Sequence, residues 1–420
     1  MKQSLLFTKT RREDPKDETA KNAKLLIRGG YIHKELAGVY TYLPLGLLVL
    51  KNIEAIIREE IEKIGGLELQ LTSLQTPEIW QKTDRFSDEI VDVWFKTKLK
   101  NNTELGLAFT HEEPLTNLLK SHINSYRDLP IYLYQIQTKF RNEIRAKSGI
   151  LRGREFIMKD LYSFTKDQSA LDTFYEKAKV AYHNIFRRVG LGDSTYLTFA
   201  SGGVFSPYSH EFQTVCEAGE DIIYISDEKG IAVNKEVYND EVLTDLGLKA
   251  SDLREVKAVE VGNIFKLGTK FSEALDLFYL DEVGKKHFVV MGSYGIGLGR
   301  LLGTVIEVLS PNDGIVWPKS ITPFLVHLLP LGDNPEVKKQ TEVLYKKLID
   351  QKISVLYDDR SLAPGEKLAE ADLLGMSYRV VISEKTIAEE VIEVLDRNLG
   401  QTSKLPQAEF IAILNNEIKK

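Results

Sequence analysis

Apolar positions along this chain follow two periods. From Leu47 to Ile64 (LLVLKNIEAIIREEIEKI), Leu50, Ile53, Ile57, Ile61 and Ile64 recur every three or four residues, which predicts an amphipathic helix. Between Tyr132 and Glu143 the period becomes two. Tyr132, Tyr134, Ile136, Thr138 and Phe140 share one face of this predicted strand, and Gln135, Gln137, Lys139, Arg141 and Glu143 the other. Arg154 to Phe164 (REFIMKDLYSF) alternates in the same way, with Arg154, Phe156, Met158, Asp160, Tyr162 and Phe164 on one side. Gly149 and Gly153 lie in the connection, so the two strands are expected to pair antiparallel. Ser209 to Val215 (SHEFQTV) is a further strand, with polar residues at 209, 211 and 213.

Glycine and proline punctuate this pattern. MGSYGIGLGR, residues 291–300, follows an apolar run at 287–291 and precedes another at 301–309, which reads as strand, glycine turn and helix with Arg300 in the first helical turn. Glycine at this density usually lets backbone approach a phosphate, but neither familiar spacing is met. The third glycine of a dinucleotide fingerprint would fall at Arg300, and no lysine follows as a P-loop requires. The segment 311–323 (PNDGIVWPKSITP) breaks the chain, and beyond it strands at 324–329, 353–357 and 378–383 alternate with helices at 336–351, 366–374 and 407–418. The expected architecture is an α+β domain with an antiparallel sheet over residues 1–318, followed by an α/β module with a mixed sheet over 319–420.

Composition narrows the class. The chain has 420 residues, 43% hydrophobic and 28% charged, which suits a globular protein of two or three domains. No apolar run is long enough to span a membrane, and MKQSLLFTKTRRED lacks the apolar core of a signal peptide, so the cytoplasm is the expected location. One cysteine, Cys216, excludes internal disulfides and cysteine-rich zinc sites. A net charge of −6 gives no global field for nucleic acid. Lys139 to Arg154 nevertheless holds six basic residues against one acidic, either a solvated face or a hairpin with a basic loop.

Several groups could carry chemistry. Arg141 could hold an anionic oxygen in its rigid fork, and Glu143 could accept from an amino group; alternatively the two form a cross-strand ion pair. Phe156 offers a surface on which a base could stack, or is a core phenylalanine. In FTHEE (109–113), Thr110 and Glu113 could form a capping box, or Thr110 and Glu112 could bind a substrate ammonium. Glu211 could hold Mg²⁺ across phosphates, because that hard ion prefers oxygen. His111 has no second histidine at ligand spacing, which argues against zinc.

Together these segments resemble the motifs of class II aminoacyl-tRNA synthetases, and more closely the bacterial-type prolyl-tRNA synthetases. The similarity runs through GVYTYLPLG (38–46), FTHEE, QIQTKFRNEIR (135–145), LRGREFIMKDLYSF (151–164), SHEF (209–212), VEVGNIFKLGTKFSEAL (259–275), MGSYGIGLGR, GIVWP (314–318) and VLYDDR (355–360). The resemblance implies a ligase that activates L-proline with ATP and Mg²⁺ and transfers it to tRNA(Pro). It implies ATP contacts from Arg141, Glu143, Arg152, Phe156, Gln213, Thr214 and Arg300, with Glu211 on the metal and Arg141 and Arg300 as the catalytic arginines. For proline it implies Thr110, Glu112 and Arg141, with Asp160, Tyr162, Phe164, His210 and Ser293 shaping the site. Asp358, Arg360 and Lys367, with Asp359, would serve the anticodon, although such a cluster could also be a solvated strand end. Pro44, in the segment resembling motif 1, implies a homodimer. Many members carry an editing domain between motifs 2 and 3; residues 218–257 are too few for it, so editing in cis is not expected.

Overall fold

A computed structural model describes residues 1–202 and 208–418. The chain divides into two compact units, one of residues 35–40 and 53–308, the other of 1–34, 41–52 and 309–420. The second unit thus takes in N-terminal segments that the boundary at 318 assigned elsewhere. The predicted amphipathic helix is α1 (Pro44–Lys63), whose Leu50, Ile53, Ile57 and Ile61 are buried.

The first unit is built on a sheet of nine strands among the described residues. In chain order these are β1 (Leu67–Glu68), β2 (Ile131–Phe140), β3 (Glu155–Thr165), β4 (Thr195–Ser201), β5 (Tyr208–Val215), β6 (Asp221–Ser226), β7 (Ile231–Asn234), β8 (Arg254–Gly268) and β9 (Val290–Gly297). Across the sheet the order is β5-β4-β7-β6-β8-β9-β3-β2-β1, with β5 also paired to β8. Pairing is antiparallel except for β4 with β7 and β1 with β2. The hairpin of β2 and β3 forms as its alternation predicts, with Gln135 opposite Asp160 and Lys139 opposite Phe156.

Two local readings change. Strand β2 ends at Phe140, so Arg141 and Glu143 open the connecting loop. The Arg141 N–H still donates to the Arg154 carbonyl, but the Asn142 N–H turns to Val93 O, and the ladder stops there. The glycine-rich stretch is strand, not turn. Strand β9 runs to Gly297 and α4 (Leu298–Leu309) follows directly, keeping Arg300 in its first turn. Glycines 292, 295 and 297 meet no left-handed requirement, since none has positive φ. Gly292 and Gly295 serve clearance instead: a Cβ at Gly292 would lie 2.5 Å from the Tyr294 hydroxyl oxygen, and one at Gly295 2.5 Å from Met158 Cε and 2.9 Å from Asn263 Oδ1.

One face of the sheet is covered by α3 (Gln168–Arg188), which buries Leu171, Phe174, Tyr175, Ala178, Tyr182, Ile185 and Phe186. Asp167 caps it, accepting from the Ala170 N–H. Tyr182 and Phe186 meet Phe212 of β5 at centroid distances of 5.1 and 5.2 Å. The opposite face keeps its polar side chains.

In the second unit a mixed sheet runs β11-β10-β12-β13-β14, formed by β10 (Val326–Pro330), β11 (Val355–Tyr357), β12 (Tyr378–Ile382), β13 (Ile392–Asp396) and β14 (Gln401–Leu405). The first three strands are parallel and the last two antiparallel. Helices α5 (Pro335–Asp350), α6 (Pro364–Leu374) and α7 (Gln407–Ile418) accompany them. Val326, Leu328, Leu344, Leu348, Val380 and Phe410 form their core. Strand β14 has no sequence signature because QTSKL is exposed on both faces.

The N-terminal segment is fastened to the edge of this sheet. The Met1 amine donates to Val355 O at 2.6 Å, and the Tyr357 N–H returns a bond to Met1 O. His327 of β10 is 1% exposed, with Nε2 2.8 Å from Gln3 Oε1 and no partner for Nδ1. Burial lowers the His327 pKa to about 3, so the folded chain holds a neutral ring where the unfolded chain binds a proton below pH 6.5. Stability is therefore lost as pH falls through that window. From pH 7 to pH 5 the loss from this residue is roughly 2 kcal/mol. Thermal unfolding of His327→Gln beside the parent protein at both pH values should show that much less acid sensitivity in the variant.

Candidate active site

The polar face of the first unit is ordered by register. Gln135, Asp160, Gly295, Asn263 and Glu211 stand opposite one another across β2, β3, β9, β8 and β5, and Tyr162, Ser293 and Phe265 form the next row. Antiparallel pairing thus brings distant segments into one surface.

Two cavities open on it. The first encloses about 540 Å³ and is lined by Arg141, Glu143, Leu151, Arg152, Phe156, Met158, Glu260, Asn263, Gly295, Gly297 and Arg300. The other is lined by Arg85, Phe109, Thr110, Glu112, Asp160, Tyr162, Phe265 and Ser293, and shares Arg141, Glu143, Met158, Asn263 and Gly295 with the first. Arg141 therefore stands where they meet. Its guanidinium lies over the Phe156 ring at 5.2 Å, and its buried Nε has no hydrogen-bond partner. Burial, with Arg300 nearby, lowers its pKa, a penalty that an anionic ligand would relieve.

Most other charges in and around the first cavity already have partners. Arg300 donates from Nη1 to Glu260 Oε2 and from Nε to Leu151 O, both at 2.9 Å. Arg152 pairs with Glu143 at 2.8 Å and with Glu220 at 3.2 Å. The alternative of a cross-strand salt bridge is not realised; Glu143 pairs with Arg152 of the connecting loop. Glu211 accepts from Gln213 Nε2 at 2.9 Å and from Asn234 Nδ2 at 3.2 Å. Burial and the neighbouring Glu260 push its pKa up to about 7, as expected for a carboxylate awaiting a cation. No cluster of three or more acidic, histidine or cysteine ligands occurs among the described residues. Glu211 and Glu260 are two oxygen-bearing groups, a set that suits a hard ion also held by phosphate.

In the second cavity Glu112 is oriented from several sides. Thr110 Oγ1 donates to its Oε2 at 2.6 Å, Ser293 Oγ to its Oε1 at 3.3 Å, and Arg85 Nη1 lies 3.5 Å from Oε2. The capping box does not form: His111 is the N-cap of α2 (Glu112–Leu119), without a side-chain cap. Glu113 instead accepts from Thr83 at 2.8 Å and from Arg85 at 3.0 and 3.1 Å. Burial raises the Glu113 pKa against the pull of Arg85.

Four anticipated residues lie elsewhere. His210 and Thr214 occupy the β5 face opposite Glu211 and Gln213, because alternate strand residues point apart. His210 Nδ1 meets the Tyr175 hydroxyl of α3 at 2.8 Å, and Thr214 Oγ1 meets Thr195 Oγ1 at 2.8 Å. Phe164 is fully buried with Leu115, Leu119 and Met291. In the second unit Lys367 is 4% exposed, and its Nζ donates to Asp358 O at 3.1 Å and Pro330 O at 3.3 Å. Asp358 is buried and bonded to Arg360, which also reaches Glu370 at 2.6 Å. That cluster is internal, not solvated; Arg360, with a quarter of its side chain exposed, is its outward member.

Arg85, Glu260, Asn263 and Phe265 also line the site. The last three belong to the quoted segment 259–275, where alternation could have aimed Asn263 and Phe265 inward; Glu260 is out of that period and lies beside a register shift between β5 and β8. Arg85 has no periodic context.

Comparison with known proteins agrees with this geometry. Residues 95–309 match the class II tRNA synthetase core domain (G, H, P, S and T), and 325–417 match an anticodon binding domain. The proline-tRNA ligase of Anaplasma marginale is 36% identical over 98% of this chain and 99% of its own length. The chain belongs to the prolyl-tRNA synthetases. The Ehrlichia chaffeensis ligase is also 36% identical, over the full length of both chains. Among solved structures, Cryptosporidium parvum prolyl-tRNA synthetase with L-proline and AMP superposes with a TM-score of 0.76 at 17% identity, covering 95% of this chain and 77% of that one. The Giardia lamblia enzyme with prolyl-adenylate gives 0.76 at 18%, covering 92% and 74%. Within this family the chain is the form without the inserted editing domain: 218–257 hold only β6, β7, the start of β8 and a short helix, Asp240–Asp245, with 3₁₀ turns.

Arg85 also carries an energetic consequence. Its guanidinium lies 5.2 to 5.5 Å from the rings of Trp80, Phe109 and Phe271 and neutralises the fully buried Glu113. Arg85→Met should lower stability by roughly 3–5 kcal/mol, since one buried charge is left unpaired. Denaturant unfolding measures this, and Arg85→Met/Glu113→Leu should recover part of the loss.

Proposed function

We propose that this chain activates L-proline with ATP and transfers the prolyl group to the 3′ end of tRNA(Pro), using the two joined cavities as nucleotide and amino-acid sites. Family membership supports the reaction. The observation that carries the site assignment is Arg141, whose buried Nε has no hydrogen-bond partner where the cavities meet.

Proline's carboxylate oxygen attacks the α-phosphorus in line; the new O–P bond forms as the bond to the β-phosphate bridging oxygen breaks and pyrophosphate leaves. Arg141 binds the α-phosphate and stabilises its charge, and Arg300 reaches the γ-phosphate. Phe156 stacks on adenine while Glu143 accepts from its amino group. Arg152 exchanges its carboxylates for phosphate oxygen. Gln213 lies beside the ribose. Glu211, with Glu260 alongside, would hold the Mg²⁺ of the nucleotide, which supplies charge neutralisation on the phosphates. Thr110 and Glu112 receive the imino nitrogen, with Asp160, Tyr162 and Ser293 around the ring. No covalent enzyme intermediate is required, so positioning and charge stabilisation carry the rate. A hydroxyl of the tRNA terminal adenosine then attacks the prolyl carbonyl, and AMP departs.

The functional boundary falls in the proline-rich stretch, with catalysis in 1–318 and anticodon binding in 319–420. Arg360 is the outward member of the cluster and would meet tRNA there, with Asp358 holding Arg360 and Lys367 bonded to the Asp358 carbonyl. A homodimer accords with exposed Leu36, Leu67 and Leu74 on the first unit. No helix among the described residues is long and apolar enough to cross a membrane, and the cytoplasm, where tRNA is charged, is the proposed location.

ATP–pyrophosphate exchange measured with each of the twenty amino acids should be strongest with proline. Strongest exchange with another amino acid would overturn the specificity. Arg141→Ala should reduce exchange by about 10² to 10³-fold; unchanged exchange would refute the site assignment. Purified protein given Ala-tRNA(Pro) should leave it acylated, and rapid deacylation would contradict the absence of editing.

A further inference from the structure

Beneath the amino-acid cavity lies a lysine that the mechanism does not use. Lys139 of β2 is fully buried, an arrangement that persists only where charge and hydrogen bonds are compensated. Its Nζ is 2.7 Å from His111 Nδ1 and 2.8 Å from Asp160 Oδ1. His111 Nε2 lies 3.0 Å from the Thr72 carbonyl, which can only accept, so Nε2 carries the proton and Nδ1 accepts from Lys139. The His111 backbone N–H donates to the Tyr162 hydroxyl oxygen at 3.2 Å, and that hydroxyl donates to Asp160 Oδ2 at 3.0 Å. Gln135 Nε2 donates to the same oxygen at 2.9 Å.

These contacts close a circuit: Lys139 to His111, His111 to Tyr162, Tyr162 to Asp160, and Asp160 back to Lys139 as an ion pair. It joins two strands to the segment in which His111 separates Thr110 from Glu112. Charge is balanced within it, one ammonium against one carboxylate. Without the ammonium, the carboxylate of Asp160, 4% exposed, would stand uncompensated close to Glu112, and the His111 ring would lose its donor.

We propose that Lys139 is a positioning residue for amino-acid recognition: through His111 and Asp160 it fixes the Thr110–Glu112 segment and the Tyr162 hydroxyl so that the cavity receives a small amino acid by its cationic nitrogen. This rests on the assignment of the second cavity to proline. Lys139 touches neither substrate, so its effect belongs to proline affinity and leaves the nucleotide cavity unaltered.

Exchange kinetics at varied proline and varied ATP test this on the full chain with Lys139→Met, Asp160→Asn and the double variant. Lys139→Met should raise KM for proline about 10-fold or more while KM for ATP stays within about 3-fold. The double variant should bind proline at least about 3-fold better than the product of the single losses gives, because it leaves no unpaired charge. If Lys139→Met does not accumulate as folded protein, Lys139→Gln, which keeps a donor but no charge, is measured identically. Proline KM within about twofold of the parent, equal rises for proline and ATP, or strictly multiplicative losses would each overturn the proposal. If the parent itself shows no proline-dependent exchange, the functional assignment has failed, and with it the premise of this inference.

Discussion

The constraint on which the site depends is the register of four antiparallel pairings. Asp160 stands opposite both Gln135 and Gly295, Gly295 opposite Asn263, and Asn263 opposite Glu211. Because side chains alternate, a slip of one residue in any pairing would turn that strand's contribution to the face covered by α3. The apolar rings of Tyr182, Phe186 and Phe212 specify that covered face, and so indirectly aim the polar one.

Electrostatics then divides the polar face into a satisfied region and an expectant one. Below the amino-acid cavity, Lys139, His111, Asp160 and Tyr162 complete one another, and Arg85 completes Glu113. At the cavity junction Arg141 keeps an unused donor, and opposite Asn263 Glu211 carries a pKa raised by burial and by Glu260. Rigid, compensated groups thus support a few that are left incomplete, which is how a preorganised site acquires affinity for charge that develops during reaction.

Much of this was legible in the sequence. Alternation in 132–164 exposed the hairpin, and Thr110, Glu112, Asp160, Tyr162 and Ser293 came together as expected. His210 and Thr214 were misassigned although their own alternation argued against them; the resemblance outweighed the period. The glycines of β9 were read as a turn because sequence does not reveal whether glycine serves conformation or clearance. Gly295 serves clearance, beside Met158 and Asn263. Lys367 looked accessible because lysine is seldom buried, and only packing reveals the carbonyls that hold it. Arg85 was invisible for a related reason: its partners are long-range in sequence and its segment has no period.

The pairing of Arg152 with Glu143 and Glu220 has a consequence for ligand discrimination. The loop's cation is neutralised before any nucleotide arrives, so a ligand must outbid two internal carboxylates to recruit it. A lone phosphate offers little more negative charge than Arg152 already faces, whereas a triphosphate spreads several anionic oxygens across the cavity. Under the proposed nucleotide role of Arg152, the internal pair would act as a threshold, and the loop would answer to the charge density of its ligand.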